Sequence, residues 1–306
     1  MIPVADKPPQ TIAIDLPKLE EPTRRWPKLL LHVITAALVV AIATSVSLAD
    51  VEHFAAAVRA QPAFLIVLAA LYFALPIADW IIFRRLWRLP VAGFPVLLRK
   101  RISNELLIDY SGEAYFYLWA RQRASLTNAP FGAIKDVNIQ SALAANLVTM
   151  LLLLVAYPFL TQLNMGRYAS ASLWSALLIM GITLGVLVFR RRVYSLDRRQ
   201  LIEILGIHLA RLAVTTTLAA VLWHLLAPAA PIGLWLALAA LRLLVTRLPF
   251  IPQKEVLFAS IAVFMLGRNA ETSGLVALTS ASLLAMHLIV GAGLVVGAFW
   301  PRREVR

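Results

Sequence analysis

The chain has 306 residues, of which 60% are hydrophobic and only 15% are charged, and its mean hydropathy is +0.78. These values lie far outside those of soluble domains and exclude a water-soluble globular fold. The chain contains no cysteine, which excludes disulfides, thiolate metal sites and cysteine nucleophiles.

Apolar runs of spanning length follow one another between Lys28 and Trp300. A run of ~20 apolar residues matches the ~30 Å hydrocarbon core of a bilayer. We predict spans at residues 28–49, 63–83, 138–163, 170–189, 200–226, 231–247, 253–267 and 274–299. The predicted fold class is therefore an all-α, polytopic membrane bundle of about eight transmembrane helices, in a single domain over residues 28–300.

The two ends of the chain are polar. Residues 1–27 are rich in proline and mixed in charge, which predicts a disordered cytoplasmic tail, and residues 301–306 are predicted to form a second cytoplasmic tail. The first apolar run is longer than the apolar region of a signal peptide, and 27 polar residues precede it. We therefore expect this run to remain as a membrane anchor.

The formal net charge of +13 is unevenly distributed along the chain. With a cytoplasmic N-terminus, the predicted cytoplasmic segments hold 24 of the 29 lysines and arginines. This asymmetry follows the positive-inside rule and predicts a multi-pass protein of the bacterial inner membrane with both termini in the cytoplasm. The expected partners of the basic charge are anionic lipid headgroups, and no nucleic acid partner is expected.

Two segments interrupt the series of spans. The first, residues 84–137, must begin and end on the cytoplasmic side, yet it contains the apolar groups 106–108 and 115–119, which are too short to span. Ser111-Gly112 separates these groups. Non-helical backbone at membrane depth is tolerated only where protein or water covers it, so we predict a re-entrant or interfacial helix pair.

The second interruption is a broken helix near residues 248–267. Pro249 and Pro252 end the sixth span, because proline lacks an N–H and disfavours helical geometry in the residue before it. The following helix has only about 14 residues, which is short for a crossing. The sequence leaves open whether 253–267 crosses the membrane or re-enters.

The two interruptions share a layout. Each has a basic, apolar approach, a glycine or proline break, then a glutamate (Glu113 and Glu255), then an aromatic-rich helix. Breaks at matching places in two halves are expected of internal repeats that build a site near the membrane midplane. One sequence does not decide whether the repeat is real.

The first interruption also carries a regular series of polar residues. Each lies four residues after the last, so that a single helix would carry them as one stripe: Arg101, Glu105, Asp109, Glu113, Tyr117 and Arg121. Adjacent carboxylates at this spacing repel unless a cation, a proton or water separates them. The stripe is either the solvated face of an interfacial helix or a polar groove that handles headgroups or protons.

Charged residues within the spans are the second group of candidates. Arg211 lies ~16 Å along the fifth span, where an arginine costs at least ~2.5–3.5 kcal/mol, and His208 precedes it by one turn. Such a cation must face protein or water. Further cations and their candidate carboxylate partners are Arg242, Arg247, Asp79, Glu113 and Glu255. Either these residues form structural ion pairs, or the arginines bind a lipid phosphate through paired hydrogen bonds.

The residue patterns of several enzyme classes do not occur. The histidines lack metal-ligand spacing, and we find no Walker loop, no Gly-x-Ser-x-Gly and no paired-aspartate motif. We therefore expect no enzymatic activity, no metal and no cofactor.

The two interruptions resemble elements in the membrane region of the flippase-like lysylphosphatidylglycerol synthase family. The matching elements are the Gly112-Glu113-Ala114 turn and the Arg247-Leu248-Pro249 segment that leads to Glu255, with spans of similar order and spacing over residues 28–300. The resemblance implies an eight-span bundle with re-entrant elements. It also implies that the protein moves or presents polar lipids, such as aminoacylated phosphatidylglycerol, hopanoids or polyprenyl-linked sugars.

The chain departs from this family in two ways. The family's second element is rich in glycine before its glutamate, whereas here residues 250–254 contain none. We expect this loss to remove backbone freedom that a tight turn uses. The soluble aminoacyl-transfer domain of full-length synthases is not among these residues, so we expect no lipid aminoacylation.

The leading functional hypothesis is a flippase-like protein that translocates or presents a phosphate-bearing lipid. Its candidate binding residues are Arg211, Arg242, Arg247, Glu113, Glu255, His208, Asp109 and Asp79. The alternative hypothesis is a membrane scaffold or assembly factor that does not transport, with the same residues in structural ion pairs. Either hypothesis is compatible with a homo-oligomer.

Overall fold

The computed structural model describes residues 48–107, 110–122, 130–162, 194–246, 248, 253–267 and 271–299, and the isolated helical positions 174, 178, 181 and 185. Every regular element in these ranges is a helix. They are α1 (Leu48–Ala60), α2 (Ala63–Trp87), a 3-10 turn (Val91–Gly93), α3 (Phe94–Leu106), α4 (Ser111–Arg121), α5 (Pro130–Gln162), α6 (Arg198–Leu226), α7 (Ile232–Val245), α8 (Lys254–Leu266) and α9 (Glu271–Phe299).

Four helices are long and apolar enough to span a membrane. They are α2, residues Pro130–Val155 of α5, α6, and residues Thr272–Gly297 of α9. They coincide with the predicted spans 63–83, 138–163, 200–226 and 274–299, so the all-helical membrane class is confirmed. Helix α7 is apolar but has only 14 residues, and α8 has 13. The predicted spans 28–49 and 170–189 lie almost wholly outside the described residues.

The C-terminal end of α2 and the N-terminal ends of α5 and α6 lie together. Arg85 of α2 pairs with Glu203 of α6 at 3.1 Å. The buried carboxylate of Asp136 in α5 accepts the backbone N–H groups of Ser195 and Leu196, at 2.6 and 2.7 Å. We call this end of the bundle the basic end, because it also carries Arg84, Arg88, Lys135, Arg198 and Arg199.

A capping box fixes the start of α6. The Asp197 carboxylate accepts the N–H of Gln200 at 2.9 Å, and the Gln200 side chain accepts the N–H of Asp197 in return. This arrangement satisfies N–H groups that have no partner inside the helix. Helix α6 therefore begins at residue 198, two residues before the predicted start.

Three apolar clusters form the core of the described residues, and the smallest joins α5, α6 and α7. The two larger clusters are separated along α2 by polar side chains. One cluster joins the N-terminal half of α2 to the C-terminal half of α6, with α7, α8 and α9. The other lies toward the basic end, where Phe83 and Trp87 of α2 pack on Phe116 of α4 with ring centroids 4.7 and 5.8 Å apart. On α2 the stretch between these clusters contains Tyr72 and Asp79, and the candidate site lies there.

Helices α3 and α4 form a hairpin, and α3 runs back along α2. Lys100 of α3 contacts Asp79 of α2, and Arg101 contacts Tyr72, nearly two turns nearer the start of α2. The predicted segment thus contains two packed helices. Helix α3 ends at Leu106, and Ser111 begins α4 directly after Tyr110, which has φ 67°. The prediction of one stripe on a single helix is therefore wrong, because the chain reverses between Glu105 and Glu113.

Gly112 allows the two helices of the hairpin to touch. Its N–H donates to the Asn104 side-chain oxygen at 2.7 Å, and the neighbouring Ser111 hydroxyl donates to the Ser103 carbonyl at 2.9 Å. A Cβ atom on Gly112 would lie only 2.0 Å from the carbonyl oxygen of Lys100. Backbone cannot yield as a flexible side chain would, so the contact requires glycine.

We expect Gly112→Ala to push α4 away from α3. Overpacking of this kind costs ~1–3 kcal/mol or more, so the thermal midpoint of the purified protein in nanodiscs should fall clearly. The matched control is Gly206→Ala in α6, where a Cβ would meet no atom within 4 Å. Alanine is the better helix former by up to ~1 kcal/mol, so this control should be neutral or stabilising. Equal midpoints for both variants would contradict the packing argument.

Candidate functional site

Helix α3 contributes charged residues to two clusters. Lys100 and Asn104, one turn apart, contact α2 and α4. We call the group Asp79, Lys100, Asn104 and Glu113 the Lys100 cluster. Arg101 and Glu105, also one turn apart, lie toward α7 and α8. We call the group Arg101, Glu105, Arg242, Lys254 and Glu255 the Arg101 cluster.

The Lys100 cluster binds one buried cation between two carboxylates. The Lys100 amino group lies 2.7 Å from an Asp79 oxygen and 3.5 Å from a Glu113 oxygen, and the other Glu113 oxygen accepts from Asn104 at 2.8 Å. The side chains of Lys100 and Asp79 are each only 7% exposed. Burial alone lowers the pKa of the Lys100 amino group, but the two carboxylates outweigh it and the pKa is raised. Lys100 therefore stays charged.

Arg211 and His208 adjoin the Lys100 cluster from α6. The Arg211 guanidinium donates to the Ser141 hydroxyl of α5 at 3.3 Å, and it acts electrostatically on Asp79. His208 is buried, neither of its ring nitrogens has a hydrogen bond to a described residue, and it also acts electrostatically on Asp79. The structure thus brings three predicted residues together, but Lys100, which was not a candidate, is the direct partner of Asp79.

The Arg101 cluster contains an ion pair that joins the helices on either side of the second interruption. Arg242 of α7 donates to both carboxylate oxygens of Glu255 in α8, and the bond from its Nε is 3.1 Å long. The Lys254 amino group donates to the carbonyl of Thr246, just beyond the end of α7, at 3.2 Å. Of the three candidate carboxylates for the arginines within the spans, Glu255 is the one that Arg242 contacts. These bonds join α7 to α8 across the break.

Arg101 has a guanidinium that is stabilised by a backbone carbonyl and an aromatic ring. Its guanidinium donates to the carbonyl of Tyr72 and lies 4.4 Å from the centroid of the Tyr72 ring. The Tyr72 hydroxyl lies 3.1 Å from Nδ1 of His287 in α9. Among the described residues no carboxylate lies within ion-pair distance of Arg101, and its buried Nε has no hydrogen bond.

Pro76 explains why a backbone carbonyl inside α2 is available to Arg101. In an α-helix the carbonyl of Tyr72 accepts the N–H of the residue four positions later, which here is Pro76. Proline has no N–H, so the Tyr72 carbonyl lacks its helical partner. Neighbouring helices must satisfy such groups within a membrane, and Arg101 does so.

The two interruptions meet at Glu105. The backbone N–H of Gln253, which precedes α8, donates to the carbonyl of Glu105 at 3.1 Å. Gln253 has φ 52° and Tyr110 has φ 67°, so a left-handed residue precedes both α4 and α8. A glutamate then follows in the first turn of each helix, bonded to a cation. Gln253 thus takes the left-handed conformation although it is not a glycine.

The Glu105 side chain is partly buried among these charges. Burial raises the pKa of the Glu105 carboxyl and the charge of Glu255 adds to this shift, whereas Arg101, Lys254 and Arg242 oppose it. The carboxyl has no hydrogen bond to any residue in the described ranges. Of the two carboxyls in this cluster, Glu105 is therefore the one whose ionised form has no hydrogen-bond donor among the described residues.

Several of these residues were not predicted from the sequence. Lys100 was counted only among the cytoplasmic lysines and arginines, although α3 buries Lys100 and leaves Arg99 exposed. Arg101 and Glu105 were noted in the stripe but not as site residues, and Tyr72 with Pro76 was not considered. A proline four residues after a tyrosine within a span was the available signal. The candidates Asp109 and Arg247 lie outside the described residues.

The described side chains contain no group of three or more histidines and carboxylates that could hold a metal ion. Comparisons with protein-family models, curated proteins and solved structures find no match to this chain. The resemblance to the lysylphosphatidylglycerol synthase family therefore stays a prediction.

We expect Lys100→Met to destabilise the protein strongly, because it leaves Asp79 and Glu113 as buried carboxylates without their cation. Breaking a buried pair in this way costs ~3–5 kcal/mol. Thermal unfolding in nanodiscs measures the effect, and adding Asp79→Asn to the variant should recover part of the loss.

The control is Arg85→Ala, which breaks an ion pair whose side chains are 57% and 44% exposed. Exposed pairs contribute ~0–1 kcal/mol, so its midpoint should barely change. If Lys100→Met were equally mild, the Lys100 cluster would not hold the hairpin.

Proposed function

We propose that this chain is a flippase-like protein that binds a phosphate-bearing lipid headgroup between its helices and translocates or presents it. The observation that carries the proposal is Arg101, a largely buried cation whose hydrogen bond goes to a backbone carbonyl. Four further cations lie at or beside the two clusters: Lys100, Arg211, Arg242 and Lys254.

Arg101 is the cation best suited to receive the phosphate. Its described partners are a backbone carbonyl and an aromatic ring, which are weaker acceptors than a phosphate oxygen. Arginine also binds phosphate through two parallel hydrogen bonds. A headgroup could therefore take over Arg101 without breaking a buried ion pair.

The depth of Arg101 supports a role in moving a headgroup. Tyr72 is the tenth residue of α2, or ~14 Å from the start of that helix by the helical rise. A polar headgroup that crosses the bilayer needs stabilisation near this depth. Arg101 supplies a positive charge there, and Arg211 supplies a second charge from α6.

We also propose a membrane arrangement. It has eight crossings in the bacterial inner membrane, with both termini and the basic end in the cytoplasm. The α3–α4 hairpin would re-enter from the cytoplasmic side and belong to the single transmembrane domain. The positive-inside asymmetry and the return of α3 along α2 support this arrangement. In this proposal the chain is a divergent relative of the flippase-like family and is not an enzyme.

The alternative is a scaffold or assembly factor that does not transport. The Lys100 cluster favours it, because its cation and both carboxylates already have partners and need no ligand. Lipid that co-purifies with the protein and is lost on substitution of Arg101 would favour lipid handling. A stable protein partner without bound lipid would favour the scaffold. Either function could be performed by a homo-oligomer.

We expect Arg101→Leu and Arg211→Leu to reduce movement of fluorescent phosphatidylglycerol in proteoliposomes by about 10–100-fold. This is the effect of losing a hydrogen bond to a charged group, worth ~1.5–3 kcal/mol. The measurement is quenching of the fluorophore in the outer leaflet by dithionite.

Arg99→Leu is the matched control, because Arg99 lies on the same helix as Arg101 but is exposed. It should transport like the unmodified chain. Undiminished transport by both Arg101→Leu and Arg211→Leu would remove the binding-site assignment.

Single cysteines test the crossing of 253–267. Because the chain has no native cysteine, Asn128→Cys and Asn269→Cys can be labelled without background. With eight crossings we expect a membrane-impermeant maleimide to label position 269 in right-side-out vesicles and position 128 only in inverted ones. Labelling of both positions from the same side would mean that 253–267 re-enters.

A further inference from the structure

Arg101 and Glu105 lie one turn apart on α3, yet they do not form an ion pair. At this spacing opposite charges commonly pair. Here Arg101 donates to the Tyr72 carbonyl instead, and the Glu105 carboxyl has no hydrogen bond to a described residue. The bundle therefore contains an arginine whose hydrogen bonds go to a weak acceptor and, one helical turn further along α3, a carboxyl without a hydrogen bond to a described residue. The two groups attract each other through space but do not contact.

The other groups that face Glu105 have partners already. Arg242 of α7 is bonded at two points by Glu255 of α8, and Lys254 donates to the Thr246 carbonyl. Tyr72 of α2 also faces Glu105, and its hydroxyl contacts His287 of α9. Arg101, Lys254 and Arg242 thus attract an ionised Glu105 through space, but none of them is shown in contact with its carboxyl.

We propose that Glu105 takes up a proton when a phosphodiester anion binds Arg101, so that the anion and the proton occupy the site together. This inference rests on the proposed function and adds a coupling ion to it. The proton is transferred from solution to a carboxylate oxygen of Glu105, and no covalent bond to the ligand forms.

Charge repulsion is the physical reason for the coupling. A phosphate on the Arg101 guanidinium would lie about one helical turn from Glu105, and two anions at that distance repel strongly where water is scarce. Protonation removes the repulsion. The neutral carboxyl also becomes a hydrogen-bond donor toward a phosphate oxygen.

The hydrogen bonds of the two glutamates decide which one takes the proton. Glu255 accepts hydrogen bonds from Arg242 at both carboxylate oxygens, whereas the Glu105 carboxyl has none to a described residue. Protonation of Glu105 therefore breaks no ion-pair contact among the described residues.

The direction of the pH dependence follows from linkage. The ligand-bound state holds more protons than the free state, so apparent affinity falls as pH rises between the free-state and bound-state pKa values of Glu105. One linked proton gives a slope of at most tenfold per pH unit. Glu105→Gln removes the titrating group, so its affinity should not vary with pH.

The experiment uses the full chain in phosphatidylcholine nanodiscs and dihexanoyl phosphatidylglycerol, whose phosphodiester stays singly charged from pH 5 to 8. Calorimetric titrations in buffers of different ionisation enthalpy give both the affinity and the number of protons taken up. Dimethyl phosphate, the same anion without acyl chains, is titrated in parallel to separate a lipid headgroup from a free phosphodiester. Thermal midpoints verify that each variant is folded.

We expect the unmodified chain to bind more weakly as pH rises and to take up close to one proton, whereas Glu105→Gln binds without proton uptake. Glu105→Asp should keep the proton uptake, and Glu203→Gln, at an exposed carboxyl, should behave like the unmodified chain. Proton-linked binding of phosphatidylglycerol alone, or of both ligands, supports the coupling and identifies the source of the anion.

Two results would overturn the inference in different ways. If Glu105→Gln retained the full pH dependence, or if the unmodified chain bound without proton uptake, the coupling would be wrong while lipid binding stood. If neither the unmodified chain nor any variant bound either anion at any pH, the coupling and the proposed function would both fall.

Discussion

The polar centre of this protein depends on how α3 is attached to α2. A hairpin that carries Lys100 and Arg101 into an apolar bundle must satisfy both cations within protein, because the bilayer supplies no water. Asp79 satisfies the first, and the Tyr72 carbonyl, released by Pro76, satisfies the second. Both contacts are made by one helix pair, so they fix the depth and the rotation of α3 together.

Lys100 and Arg101, two cations on α3, are stabilised by different kinds of partner. Lys100 is enclosed by carboxylates, an arrangement that is strongly destabilised when one partner is lost. Arg101 is held by a carbonyl and a ring, which an anion can replace without leaving a buried charge unpaired. The first cluster therefore supports the hairpin, and the second is the one in which we propose that a ligand binds.

The two broken helices also form one unit. The bond from Gln253 to the Glu105 carbonyl joins the end of α3 to the start of α8, and a left-handed residue sets the entry to α4 and to α8. In each case the following glutamate lies in the first turn, where the helix dipole favours a negative charge. The layout that the sequence repeats is thus repeated in local geometry, and the second copy closes the site beside Glu105.

Hydrophobic periodicity and charge asymmetry were sufficient to predict the all-helical membrane class, four of the long helices, the helix pair and a glutamate at the start of the helix after each break. These features depend on local composition, because the bilayer selects apolar segments by their length and orients them by their flanking charges. The sequence did not identify Lys100 as the partner of Asp79 or Arg101 as the partner of the Tyr72 carbonyl. Adjacent residues on one helix turn point about 100° apart, so only the packing of α3 against α2, α4 and α8 decided which cation is enclosed by carboxylates and which lies beside Tyr72.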